Sequence, residues 1–315
     1  MRTASIALAG TLSVVPACTS SSSGSEDLAD AGGPDAAAPA SDAAPAADAD
    51  VAGFTDLIVG QWTIPAGTEQ YRCVYKTIER TIYVRAFRPK IPLGTHHTVL
   101  TVGPRQRDDG IVPCNAGTNY GAQVFGSGVG TNALVLPDGV AVKLEAGDQL
   151  LLNLHLFNFS ESDLSGESGT EIIETDPAEV EHVAEAFMVS KFDLAIPPGA
   201  QTQAGDCTLS QDTTLLSVAP HMHMLGTRMK VVARSSLAGD VVLLDEPYNF
   251  DNQTVRVLPQ PVPMAAGDRI HIECTYNNTT GSLVTFGDSS LEEMCISGHF
   301  RYPATGGGLF CATGL

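Results

Sequence analysis

Eight histidines punctuate the 315-residue chain, and five sit where imidazoles can act together: His96-His97, His155 and His221-Met222-His223. An i, i+2 pair on a strand points to one face, so His221 and His223 can reach one metal ion. Adjacent residues on a strand point to opposite faces. His96 and His97 can therefore share a metal only at a strand end, at a bulge, or through different ring nitrogens. His155 lies in an apolar run that puts Leu151, Asn153 and Phe157 on its face; alone it reads as a core histidine, and in company as a third ligand. His182, among Glu179, Glu181 and Glu185, reads as solvated, and His271 and His299 as structural. Met294 stands in Glu292-Glu293-Met294-Cys295, after the turn-rich stretch Phe286-Gly287-Asp288-Ser289-Ser290. A thioether is a poor ligand for Zn²⁺ or Mg²⁺ and suits Cu(I), although by residue type alone a methionine is a core filler.

Ligands this far apart in the chain need a rigid scaffold, and the text from Gly53 onward is that of strands. Short runs rich in Val, Ile, Leu, Thr and Tyr alternate with Gly, Pro, Asp and Asn, as in Thr81–Ala86, Gln149–Phe157, Val241–Leu244 and Arg269–Tyr276. That spacing predicts an all-β sandwich or barrel. Helical periodicity shows only around Pro177–Ala186. Ala146-Gly147-Asp148 followed by the strand around His155 recurs 120 residues later as Ala266-Gly267-Asp268 followed by the strand around Thr275. The same offset carries His96-His97 to a few residues short of His221-Met222-His223. The expectation is a repeated β-unit with a histidine pair upstream of each Ala-Gly-Asp strand, its seam near His182–Met188.

The first 52 residues belong to neither unit. Arg2 and the apolar stretch Ile6–Val15 form a short leader, below transmembrane length. Val15-Pro16-Ala17-Cys18 resembles a bacterial lipobox, which makes Cys18 the expected lipid attachment point. Residues 19–52 are dominated by Ala, Ser, Asp, Gly and Pro, with seven acidic residues and no Lys or Arg. They read as a disordered tether. The chain carries 17 Lys and Arg against 36 Asp and Glu, a net charge of −19. Without a basic footprint it is not a nucleic-acid binder. Seven cysteines less Cys18 leave six, which admit fifteen pairings. Asn158 and Asn277 head Asn-x-Ser/Thr triplets that carry little meaning in a bacterial protein.

Taken in chain order, His-His, His, His-x-His and Glu-Met-Cys resemble the copper type II, ascorbate-dependent monooxygenases, over roughly Gly53 to Cys311. The resemblance implies two tandem antiparallel, jelly-roll-like β-sandwich domains, 53–185 and 186–315, facing each other across an open cleft. It implies an electron-transfer copper on His96, His97 and His155, and a catalytic copper on His221, His223 and Met294. It also implies the disulfides Cys73–Cys114, Cys207–Cys311 and Cys274–Cys295, bonds suited to an oxidising envelope. The chemistry implied is hydroxylation of an activated C–H bond of a small molecule, with O₂ and an ascorbate-like reductant. Two departures bear on substrate. The peptide-amidating branch has an Arg two residues before the His-x-His motif, where this chain has Ala219. It has Asn and Tyr shortly after the Met ligand, where this chain has Ile296 and Gly298. The sequence therefore points to a copper monooxygenase of unknown substrate, lipid-anchored in a bacterial cell envelope. A copper-binding or copper-buffering lipoprotein without turnover is the first alternative, and a β-sandwich binding module with structural histidines is the second.

Overall fold

The computed structural model describes residues 52–287, 289, 291–306 and 310–313. The leader, Cys18 and the tether up to residue 51 lie outside the described residues. The first half is built from β1 (Thr55–Ile64), β2 (Thr68–Thr77), β3 (Ile82–Lys90), β4 (Thr95–Pro104), β5 (Gly110–Pro113), β6 (Ala122–Gly128), β7 (Leu134–Val135), β8 (Val140–Leu144), β9 (Asp148–Asn158) and β10 (Leu164–Glu174). The second is built from β11 (His182–Lys191), β12 (Ala195–Ile196), β13 (Gly199–Thr208), β14 (Thr213–His221), β15 (Gly226–Ser235), β16 (Gly239–Pro247), β17 (Arg256–Met264), β18 (Arg269–Asn278), β19 (Val284–Thr285), β20 (Ile296–Tyr302) and β21 (Phe310–Thr313).

Each half stacks two sheets. In the first, β5-β2-β9-β4-β6 covers β1-β10-β3-β8; in the second, β13-β18-β15-β16 covers β11-β20-β14-β17. Alternation decides which side chains turn inward. In β18, Ile270, Ile272, Cys274 and Tyr276 are buried, and the residues between them are more exposed. β9 lies at the centre of its sheet and is buried along nearly its whole length, so its text reads as a continuous apolar run. One core gathers Trp62, Phe87, Leu100, Leu152 and Leu154 from both layers of the first half. A second gathers Phe187, Val189, Leu215, Val231, Ile270 and Ile272.

The halves are not separate sandwiches. β8 and β11 pair in parallel (His182 opposite Val140, Ala184 opposite Val142), joining the two outer sheets into one ten-stranded sheet. Leu216, Val255 and Phe300 of the second half belong to the first core, with Phe300 6.0 Å from Phe87, ring to ring. The helical pattern at 177–186 is overturned. Only a 3₁₀ turn forms, Pro177–Glu179, capped by Asp176, and β11 begins at His182. Pairing to β8 and β20 on either side outweighs a weak local helical preference.

The repeat is real at the level of turns. Gly147 and Gly267 both hold φ +91°, and each donates its N–H to a carbonyl at 2.8 Å, of Ile78 and of Leu209. The correspondence extends to Asn158 and Asn278, each buried and clamped between a strand-end carbonyl, a turn carbonyl, and the hydroxyl and N–H of Ser160 or Thr280. Asn158-Phe159-Ser160 and Asn278-Thr279-Thr280, which overlaps the triplet headed by Asn277, are turn devices.

Three disulfides cross-link the halves internally: Cys73–Cys114, Cys207–Cys311 and Cys274–Cys295, closing separations of 41, 104 and 21 residues. Loop-closure entropy alone assigns each about 3–5 kcal/mol of stabilisation.

Candidate metal centres

The first histidine set is assembled by a register shift. Thr95 pairs with Leu156 and His97 with His155, so His96 is the extra residue of a β-bulge at the start of β4. The bulge turns an adjacent pair onto one side, one of the three arrangements the sequence left open. The Nδ1 atom of His97 lies 3.1 Å from Nδ1 of His96 and 3.2 Å from Nδ1 of His155. The ligand nitrogens of all three lie within 4.8 Å of one another. His155 Nε2 donates to the Glu69 carboxylate at 2.5 Å, leaving its Nδ1 as an acceptor. A neutral imidazole carries one N–H, so at least one of the two Nδ1 contacts has no proton to bridge it. One cation shared by three converging lone pairs resolves this. Tyr71, opposite His155 in the β2–β9 ladder, stacks flat on the His155 ring at 4.4 Å and fixes its plane.

The second set is held differently. His221 ends β14, and His223 lies in the turn before β15. His221 Nδ1 donates to Gln253 Oε1 at 2.7 Å, and His223 Nδ1 donates to the Glu292 carbonyl at 3.1 Å. The two ring centroids lie 5.4 Å apart, with planes at 89°. Met294 lines the same cavity. The three positions are clamped from behind. Tyr248 donates to the Met222 carbonyl at 2.6 Å and accepts from its N–H at 3.1 Å. Tyr276 donates to the Met294 carbonyl at 2.8 Å, and Cys295 beside it is cross-linked to Cys274. Glu293, fully buried, accepts the backbone N–H groups of Leu225 (2.7 Å), His223 (2.9 Å) and Met294 (3.3 Å).

Burial holds the imidazoles in the neutral, metal-binding form. Desolvation lowers His96, His97 and His155, with His97 further lowered by the surrounding imidazoles and His155 partly restored by Glu69. His221 is lowered to about 4, chiefly by desolvation and then by His223. Desolvation raises the Glu293 carboxyl despite its three donors. Glu293→Ala would strand those three buried N–H groups, at about 1–3 kcal/mol each. The expected loss is about 3 kcal/mol or more, read as a shift of the denaturation midpoint at unchanged m-value.

The two sets do not face each other across an empty cleft. Both line one cavity of about 330 Å³. The Phe250 ring packs against both, 5.1 Å from His96 and 6.2 Å from His223, ring to ring. The loop that carries it also joins the halves through hydrogen bonds. The Gln253 N–H donates to the Val129 carbonyl, and the Thr131 hydroxyl donates to the Gln253 carbonyl.

The expected correspondence between the histidine pairs fails. Thr275 stands where the repeat has His155, and the residue opposite it in β15 is Arg228. His221 belongs to β14, in the other sheet. The scaffold repeats, and the donor sets do not. His182 is exposed and stacks on Tyr302 at 4.2 Å. His271 sits between Asp206 and Glu273. His299 is buried between Ser297 and the Ser217 carbonyl and lowered to about 4 by desolvation. Sequence reasoning passed over Glu69, Tyr71, Phe250 and Gln253, whose residue types and positions carry no local signal. Glu293 stood inside the quoted motif, and only its burial reveals its work.

Residues 182–307 match the family model "Copper type II ascorbate-dependent monooxygenase, C-terminal domain". A human DBH-like monooxygenase protein 2 is 25% identical over 285 residues, covering 79% of this chain and 56% of the relative. The mouse DBH-like monooxygenase protein 2 is 24% identical over 289 residues, 79% of this chain and 45% of the relative. Horse dopamine beta-hydroxylase is 33% identical over 126 residues, 36% of this chain and 20% of the relative. The chain thus spans about half the length of the curated relatives it matches over most of its own length.

Proposed function

We propose, from the premise that this chain belongs to the copper type II, ascorbate-dependent monooxygenase family, that it is a monooxygenase with two mononuclear copper sites that hydroxylates an activated C–H bond of a small molecule. The observation that carries this reading is the pair of unlike donor sets on one cavity. Three Nδ1 atoms converge on one side, and two imidazoles, each hydrogen-bonded through Nδ1, stand with a thioether on the other. Imidazole suits copper in either oxidation state, and the thioether favours Cu(I), so both sets fit the metal. Copper bound there supplies the one-electron steps from an ascorbate-like donor and the O₂ chemistry of hydroxylation.

The chain's own part is orientation and exclusion of water. Glu69 and Tyr71 fix the His155 ring, and Gln253 fixes the tautomer and direction of His221. Phe250 fills the space between the sets, where water would otherwise screen charge. Gln253→Leu removes the acceptor for His221 Nδ1–H. Copper affinity at the second set is expected to fall roughly 10–100-fold, with the first set unchanged, in a Cu(I) competition titration.

The decisive test is copper stoichiometry followed by ascorbate-dependent O₂ uptake across candidate substrates. Two copper ions per chain and uptake matched by hydroxylated product support the enzyme. Two copper ions without product leave the buffering reading, which the uncharged position Ala219 keeps open. Failure to hold copper ends both. The three disulfides suit an oxidising compartment, and we assign the protein to the bacterial envelope, tethered through Cys18.

A further inference from the structure

The cavity wall next to His221 is a bare patch of sheet. Ala219 pairs with Gly298 across β14 and β20, two residues along the ladder from the His221–Ile296 pair. Gly298 pairs with Met188 on its other side, and Ala186 with Phe300. All of these line the cavity. A methyl group built on Gly298 would meet nothing nearer than the Ala219 Cβ at 3.5 Å, so the space above this floor is open. Met188, Phe300 and Ile296 border it with apolar surface.

Among the described residues, none that line the cavity is Asp, Glu, Lys or Arg. Its polar side chains include Asn119, Gln123, Ser127 and Thr131, which are neutral by residue type. A carboxylate or ammonium entering here would lose its hydration without gaining a charged partner, a cost that net attraction from a distance does not offset. The chain's charge of −19 draws cations toward the protein as a whole and supplies no paired contact inside the cavity.

We propose that the site takes an uncharged, flat apolar molecule, lying on the Ala219–Gly298 floor with one edge toward His221. The proposal names the substrate class for the reading above and rests on it. About 150 Å³ holds one benzene ring, so 330 Å³ admits roughly two fused rings beside the ligand side chains.

Three probes of matched size test this: 2-(2-naphthyl)ethanol, 2-(2-naphthyl)ethylamine and 2-naphthylacetate, titrated by calorimetry into the metal-free full chain at pH 8. The alcohol is expected to bind at least tenfold tighter than either ion. Gly298→Leu, which fills the floor, is expected to abolish that binding. Ala219→Arg is expected to shift preference to the carboxylate. Equal or tighter binding of an ion by the unchanged protein, or no binding of any probe, overturns the proposal, whatever the variants do. So does undiminished alcohol binding by a Gly298→Leu protein of unchanged near-UV circular dichroism. Because no metal is present, these outcomes are independent of copper uptake and turnover, which test the activity itself.

Discussion

Met294→Ile is expected to reduce hydroxylation to below about 1% of the unchanged protein while the copper on His96, His97 and His155 keeps its spectrum. The magnitude follows from comparison: losing only an outer partner of a ligand typically costs 10–100-fold, and this change removes a proposed ligand itself. Isoleucine is close to methionine in volume, so the surrounding packing tolerates it at about 1.5 kcal/mol or less. Glu293, Tyr276 and the Cys274–Cys295 bond hold the backbone at 294, and none of them depends on the side chain there. A large loss of activity with a preserved fold therefore reports the thioether. The readouts are product formation, the paramagnetic resonance of the first-site copper, and the loss of sulfur scattering from the reduced second site. Retained activity would remove Met294 from the ligand set and leave the second site with imidazoles alone.

Acid is expected to destabilise the metal-free protein steeply between about pH 6.5 and pH 4. Five described histidines, His96, His97, His155, His221 and His299, have lowered folded-state values. The unfolded chain titrates near 6.5. Between the two limits the unfolded state binds more protons, so unfolding free energy rises with pH and falls as pH drops. The contribution is fully present above the unfolded value. For His299, lowered to about 4 and almost wholly inaccessible, the shift corresponds to about 3 kcal/mol at most. The measurement is the urea midpoint of metal-free protein across that range, with His299→Asn as the control. His299 is outside both donor sets, so the variant should flatten the pH slope and leave copper binding at pH 7.5 intact. Bound copper should shift the acid limb downward, because protons and metal compete for the same lone pairs. An equal midpoint at pH 7 and pH 4.5 would show that these imidazoles titrate as if exposed.

What chain order carried was considerable. The strands read from short apolar runs between turn residues stand where the text put them: Gln149–Phe157 within β9, Val241–Leu244 within β16, Arg269–Tyr276 within β18. Such runs and their bounding turn residues are local properties of the chain. The Ala-Gly-Asp repeat is likewise local, since Gly147 and Gly267 meet the same left-handed turn requirement within a few residues. Helical character at 177–186 was misread because two non-local pairings decide that segment.

The donor residues were visible by type and spacing, and their family resemblance named the sets. Their geometry was not visible. Nothing in His96-His97 announces a bulge, because a bulge is a relation between β4 and β9, where His97 and its partner His155 are 58 residues apart in the chain. Which ring nitrogen faces inward depends on Glu69 for His155, Gln253 for His221 and the Glu292 carbonyl for His223, all remote in sequence. That Phe250 brings both sets onto one cavity follows from the packing of the 249–255 loop on residues 128–131, a contact between halves. The uncharged floor at Ala219 and Gly298 became a site only when register placed them side by side next to His221. The sequence by itself determined a β-scaffold, its repeated turns and the chemical identity of the candidate ligands, because those depend on residue type and short-range periodicity. Tertiary structure alone decided their convergence, the nitrogens they offer and the neutral cavity they share, because cross-strand register and loop packing are long-range relations that no local pattern encodes.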